Sequence, residues 1–359
     1  MKKTILKAIK DNLPIVLYRL PGKQEVDVLI QREPKLPTYS FEEISSLRGF
    51  LMAPFRGDPV NRTHCIIADD TYRVNVPELA DLLYGITSGD LSGHEPGGAY
   101  VMTEEEYLKR SSYLIETLRD GQLRKVVLSR VTEYPTAKIF QPGRFLQVLM
   151  EANPDAFVYL VRMPGIGTWT GATPEVLFRM DDNEAETVAL AGTQPVERYK
   201  WTEKEIKEQR IVMDYIEELL FREKVQNYER EGPFTIHAGN VVHLKTTYTI
   251  PRSRVEGIIG RLIAGLHPTP AVCGLPRSKA YQLITKVEKH DRGFYSGFLG
   301  PWNLKGSAQL FVNLRCAEIF SDRFSLFIGG GLTAESKPAS EWEETVRKSK
   351  TLLSILEKM

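Results

Sequence analysis

The sequence predicts an α+β fold, on three observations. Segments of the form Ser/Thr-x-x-Glu stand at Thr103, Thr202 and Ser340, and such capping boxes mark helix starts. Apolar runs at 125–130, 157–162, 235–244, 308–316 and 323–328 read as strands. Paired strands outnumber strict strand–helix–strand units, which favours a mixed fold over a doubly wound parallel sheet.

Taken in order, Ile5, Leu6, Ile9 and Leu13 share one face of an N-terminal helix. Lys7, Lys10 and Asp11 interrupt that apolar run, so it is no secretory signal. Short apolar runs follow at 15–20, 26–30 and 65–68. The stretch SGDLSGHEPGG at 88–98 is the most linker-like part, a loop or subdomain boundary. After the Thr103 box, Tyr107, Ser111, Leu114, Ile115 and Leu118 keep helical spacing until Gly121 stops the helix. In the strand at 125–130, Lys125, Val127 and Ser129 share a face. The Thr202 box opens a long helix to about Phe221, and the Ser340 box opens the C-terminal one.

Composition excludes several classes. The chain has 359 residues with 47 basic and 46 acidic ones, a formal net charge of +1. That balance argues against nucleic acid or an acidic membrane bound through bulk charge. No stretch approaches the ~18 apolar residues of a transmembrane helix. Cys65, Cys273 and Cys316 fit neither a disulfide framework nor a zinc site, which places the protein in a reducing, cytoplasmic setting. The chain shows no internal repeat.

The strongest signal from spacing is a pair of Glu-x-x-Glu patterns, Glu205/Glu208 and Glu341/Glu344. Spacing of i,i+3 puts each pair on one helix face. Should the faces meet, four converging carboxylates need a cation, and hard oxygen ligands favour Mg²⁺. The plainer reading is acidic residues complementing helix dipoles. Lys348 lies one turn after Glu344, as a surface ion pair or as a cation aimed at a substrate carboxylate. Lys125 opens an apolar strand, either snorkelling to water or, if enclosed, acting as a general base. Glu175, after Pro174 and before Val-Leu-Phe, is an exposed turn residue or a buried general acid. Arg315 ends the run LFVNLR, and Gly329, Gly330 and Gly331 follow the next strand. Together they suggest a carboxylate pocket of guanidinium and backbone N–H groups. His243 and His267 read as structural histidines, and Cys273 and Cys316 as buried thiols.

These blocks resemble the chorismate-utilising enzymes, a family that includes isochorismate, salicylate and anthranilate synthases and aminodeoxychorismate synthase. The resemblance rests on KVVLSR (125–130), GATPE (171–175), LAGT (190–193), KEIKE (204–208), LHPTPAVCGLP (266–276), RGFYSG (292–297), Arg315, the glycines at 329–331 and EWEET (341–345). It runs in order from about residue 100 to the end, and the first hundred residues carry no matching motif. It implies one large domain over 1–359, with two packed β-sheets flanked by helices. It implies Mg²⁺ held by Glu208 and Glu344, with Glu205 and Glu341 beside them. Gly192, Thr193 and Lys348 would help hold the ring carboxylate of chorismate. Tyr295, Arg315 and the 329–331 backbone would hold the enolpyruvyl carboxylate, and His243 and Val272 join the substrate-binding set.

Two positions discriminate within the family. Lys125 stands where ammonia-using members carry Gln, and Ala191 where others carry a nucleophilic Lys. Both favour water over ammonia. The expected activity is isochorismate synthesis for menaquinone or a siderophore. Lys125 would activate water for attack at C2, and Glu175 would protonate the departing C4 hydroxyl. A monomer with no glutamine amidotransferase partner is expected. The alternatives are salicylate synthesis, with pyruvate eliminated in a second step, and an inactive chorismate-binding module.

Overall fold

The strand Ile15–Arg19 is buried on both faces. Ile15 and Leu17 enter one core, and Val16 and Tyr18 enter another. Side chains alternate along a strand, so a continuous apolar run is what a strand needs between a helical layer and a second sheet. The computed structural model, which describes residues 1–55, 63–92, 100–136, 140–238 and 241–357, is built on this scheme throughout.

Among the described residues there are two nine-stranded sheets, with antiparallel pairing between neighbouring strands. The first runs Gly274–Leu275, Lys125–Pro135, Arg323–Leu332, Cys316–Ile319, Gly167–Thr173, Phe157–Met163, Ile15–Arg19, Glu25–Ile30 and Asp70–Asn75. The second runs Glu229–Ala238, Val241–Pro251, Glu184–Pro195, Val176–Met180, Ala308–Val312, Phe298–Trp302, Gly49–Ala53, Thr63–Ile67 and Thr38–Tyr39. The sheets pack face to face around an aromatic core in which Phe157 stacks on Phe311 at 4.3 Å. Helix Pro338–Leu356 covers the first sheet and helix Glu203–Arg222 the second.

The first hundred residues thus complete both sheets, with three strands in each. Part of the linker-like stretch is a short helix, Ser88–Leu91; its later residues, 93–98, lie outside the described ones. The capping boxes at Thr103 and Thr202 form, opening helices Glu104–Arg119 and Glu203–Arg222.

Four local expectations are corrected. The Ser340 box does not form. The last helix begins at Pro338, which is preset for the first helical position, and its N-cap is Lys337. The run at 235–244 is not one strand but falls on the hairpin of Glu229–Ala238 and Val241–Pro251; Gly239 and Asn240 lie outside the described residues. The run at 308–316 is also two strands, one in each sheet, because the chain turns at Arg315 with φ +50°. Gly329, Gly330 and Gly331 do not follow their strand but continue it, paired with Ser129, Leu128 and Val127. No described helix is long and apolar enough to cross a membrane.

Candidate active site

The chain passes between the two sheets in both directions near one point. One crossing, after Gly167–Thr173, carries Glu175; the reverse crossing, after Ala308–Val312, carries Arg315. The two are laced together. Val312 N donates to Glu175 O at 2.9 Å, Ala172 N donates to Arg315 O at 3.2 Å, and the Thr173 hydroxyl donates to Val312 O at 2.6 Å. A backbone leaving one sheet for another must satisfy its polar groups locally, and these bonds hold a carboxyl and a guanidinium at one place between the sheets.

A cavity of about 160 Å³ opens there. The first sheet contributes Lys125, Val127, Gly329 and Gly331, and the crossings contribute Glu175 and Arg315. The second sheet contributes Gly192 and His243, and the loops Val272 and Tyr295. Helix Glu203–Arg222 adds Lys204, Glu205 and Glu208; helix Pro338–Leu356 adds Glu344 and Lys348. The expected shared face of Lys125 and Val127 therefore points into the cavity. Gly330 and Glu341 do not line it. The side chain of Thr193 lies outside the described ones.

The glycines make room. A Cβ on Gly329 would stand 2.6 Å from the Tyr295 hydroxyl, and one on Gly331 2.7 Å from Lys125 Cε. The Gly329 carbonyl also accepts a hydrogen bond from Lys348 Nζ at 3.1 Å. Gly192 has φ +65° and sits at a bulge opposite Val241–Pro251. The neighbouring Ala191 N–H is met by Gln209 Oε1 at 2.9 Å. That bond ties the bulge to the helix carrying Glu205 and Glu208.

Electrostatics divides the acids. Burial pushes Glu175 up to about 7 even against the pull of Lys125, Arg315 and Lys348. Burial also raises Glu208, with repulsion from Glu344 and Glu341 adding to it against Lys125 and Lys204. Burial works to raise Glu344 as well, but the Lys348 ammonium at 2.7 Å outweighs it and holds this carboxyl low. His243 is pushed down to about 4, by burial first and by Arg315 next, so it is neutral at pH 7. His267 is structural, its Nε2 3.0 Å from Pro54 O. The three cysteines are free and buried.

The four carboxylates do not converge. Glu205 folds back on its own capping box, 2.9 Å from Thr202 N. Glu341 is buried and holds Ser336 Oγ at 2.7 Å and Lys204 Nζ at 3.3 Å. Among the described residues no group of three or more His, Cys, Asp or Glu side chains stands ready to hold a metal ion. Glu208 and Glu344 alone present buried carboxylates to the cavity from two helices, a hard-oxygen pair that one divalent ion completed by substrate and water would suit. Lys204 was given no role by sequence reasoning. Its charge acts on Glu341, Glu208 and Glu344 together, and its place directly before Glu205 in a helical first turn was the available signal.

Known proteins match this chain in sequence and fold. Residues 94–357 match the family model of chorismate binding enzymes. The vibriobactin-specific isochorismate synthase of Vibrio cholerae is 33% identical over 261 residues, covering 70% of this chain and 66% of the relative. Isochorismate synthase EntC of Escherichia coli is 31% identical over 264 residues, again 70% and 66%. The alignments thus span just under two thirds of these relatives' own length. The structure of MenF, the menaquinone-specific isochorismate synthase from Escherichia coli, superimposes with a TM-score of 0.73 at 20% identity, covering 96% of this chain and 88% of that one.

Proposed function

Since this chain belongs to the chorismate-binding enzymes, we propose that it is an isochorismate synthase, isomerising chorismate by adding water at C2 and releasing the C4 hydroxyl as water. The observation that carries this reading is the meeting of Lys125, Glu175 and Arg315 in one cavity with the carboxylates of Glu208 and Glu344. The relatives named above carry the same activity in their names.

Lys125 takes a proton from the attacking water, whose oxygen bonds to C2. The ring double bonds shift, the C4–O bond breaks, and Glu175 gives its proton to the departing hydroxide, which leaves as water. A carboxyl titrating at about 7 is suited to that acid role near neutral pH. Arg315 forms a fork for the enolpyruvyl carboxylate, beside the Tyr295 hydroxyl. Gly192, Lys348 and the neutral His243 surround the ring carboxylate, with Val272 as an apolar wall. Glu208 and Glu344 would hold Mg²⁺, which when bound neutralises that carboxylate.

Water as the nucleophile needs no ammonia source, so the proposed reaction calls for no glutamine amidotransferase partner. Three buried free thiols suit the reducing cytoplasm. The product supplies siderophore or menaquinone assembly, the two settings named among the relatives. Incubating the protein with chorismate and Mg²⁺ and separating products by chromatography tests the reading; absence of isochorismate would end it.

A further inference from the structure

Glu175 borders a second, smaller space. Its volume is about 10 Å³, and its walls include Thr187, Tyr215, Leu266, Thr269 and Pro270. Among the described residues Glu175 alone lines both this space and the main cavity, so it is the residue the two spaces share. Room of this size is that of one water centre.

The polar inventory of the small space is short. The Thr187 hydroxyl donates to Leu177 O at 2.8 Å and keeps its lone pairs. The Tyr215 hydroxyl donates to Gly265 O at 2.6 Å. The Thr269 hydroxyl is buried with no hydrogen-bond partner in the protein. A buried hydroxyl left in that condition is costly, and ordered water is the usual remedy. The cations that act on Glu175 are Lys125, Arg315 and Lys348, and all three line the main cavity. Apart from Glu175, no described residue around the small space carries a charge. Thr269 also belongs to the HPTPAV turn, in which its own side chain has had no role so far. Its carbonyl accepts from Val272 N at 3.1 Å, and Val272 is a wall of the main cavity.

We propose that the small space holds one ordered water bridging the Glu175 carboxyl and the Thr269 hydroxyl, and that Thr269 is a positioning residue for the general acid. This rests on the acid role given to Glu175 above. The water donates to one carboxyl oxygen, which leaves the acidic proton on the oxygen facing substrate. When the C4–O bond breaks, that proton passes to the departing hydroxide, and the water's hydrogen bond stabilises the carboxylate left behind.

Thr269→Val keeps the shape and removes the hydroxyl; Thr269→Ser keeps the hydroxyl. Crystal structures that order buried waters, with kcat and KM measured across pH, test the proposal. A water is expected within hydrogen-bond distance of Glu175 and residue 269 in the wild type and the Ser variant, and none in the Val variant. Thr269→Val should lower kcat about tenfold with little change in chorismate KM, and move the alkaline limb of the profile upward, because the carboxylate has lost a donor. Thr269→Ser should restore both. A wild-type crystal without that water overturns the proposal, as does a Val variant with wild-type kcat and pH profile, or a Ser variant as impaired as Val. Should Thr269→Val not fold, the wild-type and Ser structures decide. A wild type that leaves chorismate unchanged defeats the functional reading instead, and the crystallographic result still decides the water.

Discussion

Gly331 leaves the space that the Lys125 side chain fills: a Cβ at position 331 would stand 2.7 Å from Lys125 Cε and 3.2 Å from its Nζ. The obstacle is the tip of a flexible side chain, not backbone. Gly331→Ala is therefore expected to fold with little change in melting temperature, while the displaced lysine misses its water. A misplacement of about 1 Å can cost on the order of 100-fold in rate, and that is the loss expected in kcat. Calorimetry and steady-state kinetics on the same sample check the split between stability and turnover.

Lys125→Gln should lose isochorismate formation, since Gln cannot take a proton from water. Chorismate should still bind, because Arg315 and Tyr295 are untouched. Binding measured by calorimetry beside turnover distinguishes this from a collapsed site.

Much of this was legible in the chain, and the failures have physical causes. The Thr103 and Thr202 boxes are local signals, and both form. The Ser340 box lost to Pro338, whose ring presets φ for the first helical turn, while the nearby Glu341 carboxyl is taken by Ser336 and Lys204. Arg315 looked like the end of one strand because nothing in LFVNLR announces a positive φ; the turn is held by tertiary bonds, among them Ser296 N to Asn313 O at 2.8 Å. The first hundred residues resisted reading because their strands find their partners across long sequence separations, such as Ile15–Arg19 beside Phe157–Met163. The i,i+3 glutamates marked the right helices, but spacing alone could not say that Glu205 is engaged by its own capping box or that Glu341 lies outside the cavity lining.

Glu175 makes activity and stability depend on pH in a stated direction. With Glu175 as the proposed general acid, its acid form is the working one, so kcat/KM should fall as pH rises through about 7. Folding raises this carboxyl from 4.5 to about 7, so the native state favours the proton. The group costs nothing below 4.5, and the penalty grows as pH climbs through that window. Above it the penalty is on the order of 3 kcal/mol. Glu175→Gln should therefore be inactive in both directions yet melt higher than wild type at pH 8, with the gap closing towards pH 5. Thermal melts at the two pH values check it.

With Glu208 and Glu344 as the buried carboxylates that the two helices bring to the cavity, the ring carboxylate of chorismate would supply a further oxygen. Mg²⁺ should then bind weakly alone and more tightly with chorismate present. Titration calorimetry, with Lys125→Gln as an inert host for substrate, measures this. Glu208→Ala and Glu344→Ala should each abolish the enhancement. Chelator should stop turnover in the wild type, and added Mg²⁺ should restore it.

The measurement that bears most directly on the central claim follows both substrates and pyruvate together in real time. On the proposed mechanism Lys125 and Glu175 exchange acid and base roles when the reaction reverses. Fed chorismate with Mg²⁺, the purified protein should settle at a mixture of chorismate and isochorismate. Fed isochorismate, it should reach the same mixture, with little pyruvate released from either side. Stoichiometric pyruvate and salicylate would contradict the account in favour of a salicylate synthase, and no interconversion from either side would contradict it outright.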